Sequence, residues 1–506
     1  MAVSPPRKDL SATPPIETIR GDHDSLFMVM SGLGSKPASG RLLRGLSPFL
    51  DEQGAKQVVL LAERQRREPW RGTDDIVRYQ ELVHWDRTTL IYRGTCIKAD
   101  PVGRDELIQA FQRDPLSLVD WAARRAGAAV VSSAEPLRLV PCIVEKPWGR
   151  EVWFTGIEAR GVSLVCSAAG CTELPYALGM FPVPLLGEEE RPPTLLKRLE
   201  PHPVPGLGDL YLEVHREKWE AYIVQAVDEA AWPDGTGQLL AGLKPAAIEQ
   251  CRANHGEGWR EALLAELGRA IADYERVRAE IDPLLDGLLR AEQLDPALPG
   301  DVDTATRLRA ALPQALQARE AGGRAAVEAL LHRVDMPVGT VAVLPPGTLH
   351  SLRHGVNVVE FQTPTYERLV ALSSQKVLTQ DHWDTAEALA LMDTEPYRLP
   401  DLTVQSDEDG CRVDQVVTFP QFIVRRWRIE AERQFETATP GGDQYHLIHV
   451  LSGDGNLVLP DGTAHGLKAG DALLLGAALG PYRVDAAAGG ALTCVVASPR
   501  QDGAAR

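Results

Sequence analysis

The sequence predicts a mainly β protein with α elements in two places: an N-terminal α/β region, and a helical insertion that interrupts the first of two antiparallel β blocks. Three observations carry this reading. Short runs rich in β-branched and aromatic residues, bounded by Gly and Pro, recur from Leu137 to Ser498. Leu and Ala recur at helical spacing between Leu239 and Arg333. Both patterns mix over residues 23–135. At 506 residues the chain exceeds what one hydrophobic core organises, so several domains are expected.

Taken in order, residues 1–22 combine Pro, Ser and charge without an apolar run, which predicts a disordered tail and neither a secretory signal nor a membrane anchor. Residues 23–135 mix apolar runs (VVLLA at 58–62, TTLIY at 88–92) with the helical stretches ELIQAF and SLVDWAARRA, an α/β region in which no motif points to a function. The runs LRLVPCIV, REVWFTG, VSLVCS, LYLEVH and AYIVQAV then read as sheet. Together with GTVAVLPPG and GVNVVEFQTP they predict one β domain over residues 136–238 and 334–400, split by the helical insertion at 239–333. A helical connector near DTAEALALM leads to a second β domain over 401–500.

Composition narrows the partners. There are 53 Lys and Arg against 70 Asp and Glu, a net charge of -17, which argues against nucleic acid and requires a local cationic pocket for any anionic ligand. No stretch approaches the ~20 apolar residues of a membrane span. Seven cysteines lie scattered without a C-x-x-C pair, so reduced thiols in a cytoplasmic protein are expected. Cys166 and Cys171, five apart, read as ordinary small residues.

The segment GTVAVLPPGTLH fits G-x5-P-x-G-x2-H: a strand enters a Pro-Gly turn and delivers His350 on the next strand. This resembles the second conserved motif of the cupin family. Upstream, LYLEVHREKWEAYIV places Glu213 and His215 two apart, on the same face of an extended strand, with Glu220 able to reach back from the next one. Two carboxylates and two imidazoles suit zinc, with manganese or ferrous iron as alternatives. In the second β block the same count from Gly470 meets Gly476, Ala478 and Pro481, so that copy lacks the histidine and is expected to be metal-free. His446 and His449, three apart on a strand, are expected on opposite faces rather than on one metal.

The ordered set VEKPWGREVWF, PPTLLKRLEP, LYLEVHREKWEAYIV, a helical insertion, and LPPGTLHSLRHGVNVVEFQTPTYERLV resembles type I mannose-6-phosphate isomerases over roughly residues 137–500. The resemblance implies two cupin (β-jelly-roll) domains and one zinc ion per chain, held by Glu213 (where the family has Gln), His215, Glu220 and His350. It further implies catalytic roles for Lys218, Glu360 and Arg368, and a substrate-binding role for Trp148. Lys197 and Lys376 are added as candidate contacts to the substrate, a small sugar phosphate. The implied reaction interconverts mannose 6-phosphate and fructose 6-phosphate, or a related pair, through an enediol. Departures from the family pattern are Arg150 after W-G, Arg216 after the ligand histidine, and a shorter spacing of eight residues from Glu360 to Arg368. Two other readings stay open: a ferrous-iron cupin oxygenase, and a sugar-binding or regulatory cupin without turnover.

Overall fold

The computed structural model describes residues 17–69, 76–187, 191–298, 300–436 and 444–500. The protein is mostly β with a minority of helices. Among the described residues no helix is long and apolar enough to cross a membrane.

The N-terminal region is a six-stranded sheet in simple sequence order, from Glu17–Gly21 to Val130–Ser132. Ser25–Leu33 and Gln57–Arg67 pair in parallel, joined by the helices Ser39–Gly45 and Ser47–Glu52; the other neighbours are antiparallel. Period-2 alternation gives the sheet two apolar faces. Phe27, Val29, Val59 and Leu61 pack on Phe111 and Leu118 of the helices Arg104–Arg113 and Leu118–Ala126. Leu26, Met28, Val58 and Leu60 face the other way, into a core that continues through Phe181 and Leu185 to Ile223, Val359 and Phe361. The region therefore shares its core with the β blocks.

The expected tail needs correction where it can be seen. Residues 1–16 lie outside the described residues, but Glu17–Gly21 is the edge strand of this sheet, paired with Ser25–Leu33. The three residues Asp22–Asp24 join the two strands, with His23 and Asp24 both at positive φ (58° and 53°) and the Ser25 N–H donating to the Asp22 carbonyl at 3.2 Å.

Two antiparallel sheets form the central body. One runs Val341–Leu344, Glu220–Val227, Val356–Gln362, Leu195–Pro201, Gly149–Trp153, Cys142–Lys146; the other runs Leu331–Pro337, Thr236–Leu243, His350–Leu352, Leu212–Val214, Leu369–Leu372. Their facing side chains form one cluster that includes Trp148, Tyr211, Tyr222, Leu239, Leu344, Leu352 and Val370. The outer face of the second sheet is covered by the insertion. Leu263, Leu267, Ile271 and Tyr274, one stripe of the helix Trp259–Ala291, pack on Leu212, Val214, Leu240 and Leu369. The insertion's helices begin at Pro245, not at Leu239: Leu239 and Leu240 remain in strand because they pair on both sides, with Val334 and Arg333 and with Leu352 and Ser351.

The last β block contributes a nine-stranded and a four-stranded sheet around Trp427, Ile448, Leu457, Leu467 and Val484. The larger sheet also takes in Leu137–Val140, Leu164–Ser167 and Gly170–Glu173 from the earlier block, with Leu473 opposite Arg138. The hairpin Leu164–Ser167/Gly170–Glu173 corrects the cysteine reading. Its register sets Cys166 directly opposite Cys171, Cα atoms 4.0 Å apart, and the two form a disulfide. The remaining five cysteines are free thiols. His446 and His449 do point to opposite faces: His446 meets the Tyr482 hydroxyl, while His449 is buried against Phe154 at a ring distance of 5.0 Å.

Candidate metal centre

The alternation of one short strand builds half of the site. In Leu212–Val214 and the residue after it, Leu212 and Val214 face the helical insertion, so Glu213 and His215 face the opposite sheet. A register irregularity between Leu212 and Glu213 precedes them. The neighbouring antiparallel strand sets His350 directly opposite Glu213. The Pro-Gly turn before His350 is tied to the first histidine as well: Gly347, at φ +87°, donates its N–H to the His215 carbonyl at 2.8 Å. From the facing sheet, Glu220 and Tyr222 project from the start of Glu220–Val227.

These side chains converge. Nε2 of His350 stands 3.2 Å from Oε2 of Glu220, and Nε2 of His215 stands 3.5 Å from Oε1 of Glu220 and 3.6 Å from Oε1 of Glu213. One donor atom from each of Glu213, His215 and His350 fits within a 4.8 Å sphere of mutual distances. His215, Glu220 and His350 are buried and Glu213 nearly so.

Both imidazoles are held in one tautomer by the backbone. Nδ1 of His215 lies 3.0 Å from the Glu367 carbonyl, and Nδ1 of His350 lies 2.9 Å from the Thr348 carbonyl. A carbonyl only accepts, so Nδ1 carries the hydrogen and each neutral ring turns its Nε2 lone pair toward the carboxylates. Lone pairs facing carboxylate oxygens repel unless a proton or a cation lies between them. Nε2 of His215 and Oε2 of Glu213 are buried and make no hydrogen bond. The donor set therefore fits a divalent transition metal, with the two Nδ1 contacts acting as the outer hydrogen bonds that orient ligand histidines.

Electrostatics agree with the geometry. Burial raises the carboxyl pKa values of Glu213 and Glu220, but His215 and Lys218 outweigh it and hold both below the ordinary range. Burial and the Lys218 charge push His215 down, whereas for His350 the Glu220 carboxylate overcomes burial and pushes it up. Lys218 Nζ donates to Glu220 Oε1 at 2.8 Å. Glu360, fully buried, is raised well above the usual carboxyl range by burial and by the Glu220 charge. Lys197 Nζ reaches Glu360 at 3.1 Å and Glu151 at 3.8 Å.

Two other candidates stand one layer out. Arg368 lies over the Tyr211 ring (4.8 Å), donates to the Thr379 hydroxyl (2.6 Å) and comes within 3.9 Å of Glu213. Trp148 is 2% exposed, packed in the inter-sheet cluster with Tyr211 and Tyr222. Lys376 departs from the expectation of a substrate contact in this cluster: it pairs with Asp286 of the long insertion helix at 2.8 Å, because the chain after Leu372 turns along that helix.

Sequence reasoning missed three groups. Glu151 accepts from Trp153 Nε1 at 2.6 Å and pairs with Lys146 at 3.5 Å; burial opposes its charge, but Lys197 and Lys146 hold its pKa at about 2. Tyr222 donates to Glu220 at 3.3 Å. The Glu367 carboxylate accepts the N–H groups of Arg216, Glu217 and Lys218 at 2.8, 3.1 and 3.2 Å, which shapes the turn between His215 and Glu220. The alternation of Glu151 with Trp153, and of Glu220 with Tyr222, was the signal for the first two.

Fold and site together define a mostly β protein with a candidate two-histidine, carboxylate-rich metal centre between two sheets. No protein-family model matches the sequence, and no curated protein does. Among solved structures, the chain is similar to the mannose 6-phosphate isomerase of Bacillus subtilis at 17% identity and a TM-score of 0.47, covering 72% of this chain and 99% of that one. A variant of the phosphomannose isomerase of Salmonella typhimurium gives 14% identity and a TM-score of 0.48 over 73% and 100% of the two chains. A zinc-bound mannose 6-phosphate isomerase gives 15% and 0.47 over 72% and 99%. These values leave the chemistry of the site to its own geometry.

Proposed function

We propose that the protein is a zinc-dependent aldose–ketose isomerase acting on a sugar phosphate, with mannose 6-phosphate and fructose 6-phosphate as the pair to test first. The carrying observation is the convergence of two backbone-oriented Nε2 lone pairs on two buried carboxylates. Glu213, His215, Glu220 and His350 would hold one zinc ion, in the first of two cupin barrels. Bound there, zinc supplies Lewis-acid polarisation of the carbonyl and hydroxyl oxygens of the open-chain sugar.

The protein groups supply the rest. Isomerisation removes the proton on C2 of the aldose, passes through the enediol, and returns a proton to C1, while the O2 hydroxyl hydrogen is lost and O1 gains one; no atom is gained or lost overall. A buried carboxyl whose pKa is raised by burial and by the Glu220 charge, as that of Glu360 is, suits the proton-carrying role. In this reading Lys218, 2.8 Å from Glu220, and Arg368, 3.9 Å from Glu213, would meet negative charge as it builds on the enediol oxygens. Lys197 stands between Glu360 at 3.1 Å and Glu151 at 3.8 Å and would hold both in position.

A second reading, a sugar-binding cupin without turnover, is favoured by one observation: Lys218 already occupies a Glu220 oxygen. Elemental analysis of the purified protein, combined with a coupled assay of mannose 6-phosphate isomerisation with and without chelator, separates the two. One zinc per chain with chelator-sensitive turnover is expected. Metal without turnover on any hexose or pentose phosphate supports the binding protein, and a protein that takes up no metal removes both.

A further inference from the structure

A second site stands apart from the metal centre, between the insertion and the loop that follows Leu372. It is a cleft with a cavity volume of about 110 Å³, bounded by the helices Trp259–Ala291 and Val302–Ala310 and by Gln375, Lys376 and Leu378. Its walls include Leu285, Leu289 and Leu298, and it is also lined by Arg278, Arg309 and Lys376.

The charges around it do not balance. Arg278 is 2% exposed, and only its Nη2 is used, on Asp282; Nε and Nη1 are buried without a hydrogen-bond partner. Arg309 spends one nitrogen on the Ser374 carbonyl and has no carboxylate within ion-pair distance among the described residues. Burial and the adjacent Arg278 push its pKa down to about 10. Of the two acids lining the cavity, Asp286 is taken by Lys376 at 2.8 Å and Arg290 at 3.7 Å, and Asp282 is taken by Arg278. Glu320, the other acid acting on Arg309, already accepts from Tyr274 at 2.6 Å and lies 3.6 Å from Arg324. Buried guanidiniums are normally paired and fully hydrogen-bonded, because buried donors left without an acceptor are unfavourable. Arg278, buried with two nitrogens unsatisfied, and the half-buried Arg309 beside it share so little negative charge that they leave room for one anion. The leucine wall adds the second requirement: Leu298, on the same cavity, is 63% exposed, an apolar surface of the sort an apolar ligand body covers.

We propose that this cavity binds an amphipathic organic anion, its carboxylate or phosphate head between Arg278 and Arg309 and its apolar body along Leu285, Leu289 and Leu298. The site is separate from the metal centre and does not depend on the isomerase reading.

Calorimetric titration of the full-length protein with decanoate, decyl phosphate, decanol and inorganic phosphate tests it. At least one of the two amphiphilic anions is expected to bind at one per chain, with decanol and inorganic phosphate at least tenfold weaker; comparison of the two anions identifies the preferred head. Arg309→Met and Leu298→Asp are each expected to weaken the bound anion at least tenfold. Leu298 is mostly exposed, so its variant remains informative if Arg309→Met fails to fold. Absence of binding by both anions, equal binding of decanol or of inorganic phosphate, or unchanged affinity in Leu298→Asp overturns the proposal.

Discussion

Glu213 and His350 occupy directly opposed positions on adjacent antiparallel strands, so a carboxylate and an imidazole far apart in sequence are aligned by sheet register alone. Replacing His350 by Ala removes one donor and leaves Glu220 without the nitrogen 3.2 Å away. The expected outcome is loss of zinc to below about one-tenth of the wild-type content by elemental analysis, with isomerase activity lost in parallel. A variant that keeps its metal while losing stability would make His350 a packing residue.

Glu367 acts through the turn it caps. Its carboxylate collects three backbone N–H groups, and its own carbonyl orients His215. Glu367→Ala is expected to cost about 1–3 kcal/mol in a denaturant titration, the price of leaving such donors unsatisfied. It should also weaken zinc about tenfold or more through the misaligned His215, measured by competition with a chromogenic chelator.

The Glu151 cluster predicts acid sensitivity of definite sign. With a folded pKa of about 2, below the ordinary value near 4.5, Glu151 contributes stability that is fully present above about pH 4.5 and lost as pH falls toward 2. Glu151→Gln should therefore be less stable than the wild type by about 3 kcal/mol at pH 6, with the gap narrowing below pH 4 in thermal melts. A gap independent of pH would mean that Lys146 and Lys197 do not act on it.

Gly347 tests the turn that delivers His350. At φ +87° a side chain is disfavoured, so Gly347→Ala is expected to lower stability by about 1–2 kcal/mol and reduce zinc affinity, since the same turn holds the His215 carbonyl. Equal zinc affinity in the two proteins would separate the turn from the centre.

The insertion should be separable from the chemistry. Leu267 is fully buried between the long helix and the outer face of the sheet that carries the two histidines. Leu267→Ala is expected to cost about 2–5 kcal/mol, while zinc stoichiometry at 10 °C stays unchanged.

Local signals account for much of what could be read beforehand. The β runs, the Leu stripe of the insertion, the Pro-Gly turn before His350 and the two-residue spacing of Glu213 and His215 are properties of short stretches, and short stretches carry periodicity and turn chemistry. The same locality explains the errors. Glu17–Gly21 is a strand only because Ser25–Leu33 is there to pair with it, and Leu239 and Leu240 stay in strand because sheet neighbours on both sides outweigh their helical neighbours in sequence.

By itself the sequence determined which donors are available and on which face of its strand each lies: Glu213 with His215, Glu220 with Tyr222, Glu151 with Trp153. Only the tertiary structure decided which faces meet. Register set Glu213 against His350 and joined Cys166 to Cys171, and tertiary packing brought Glu367 to the turn at residues 216–218, the chain after Leu372 carried Lys376 to Asp286, and the packing of two insertion helices set Arg309 beside Arg278. The physical reason is that side-chain alternation is a property of one strand, whereas pairing and burial are properties of two or more segments whose separation in sequence leaves no local trace.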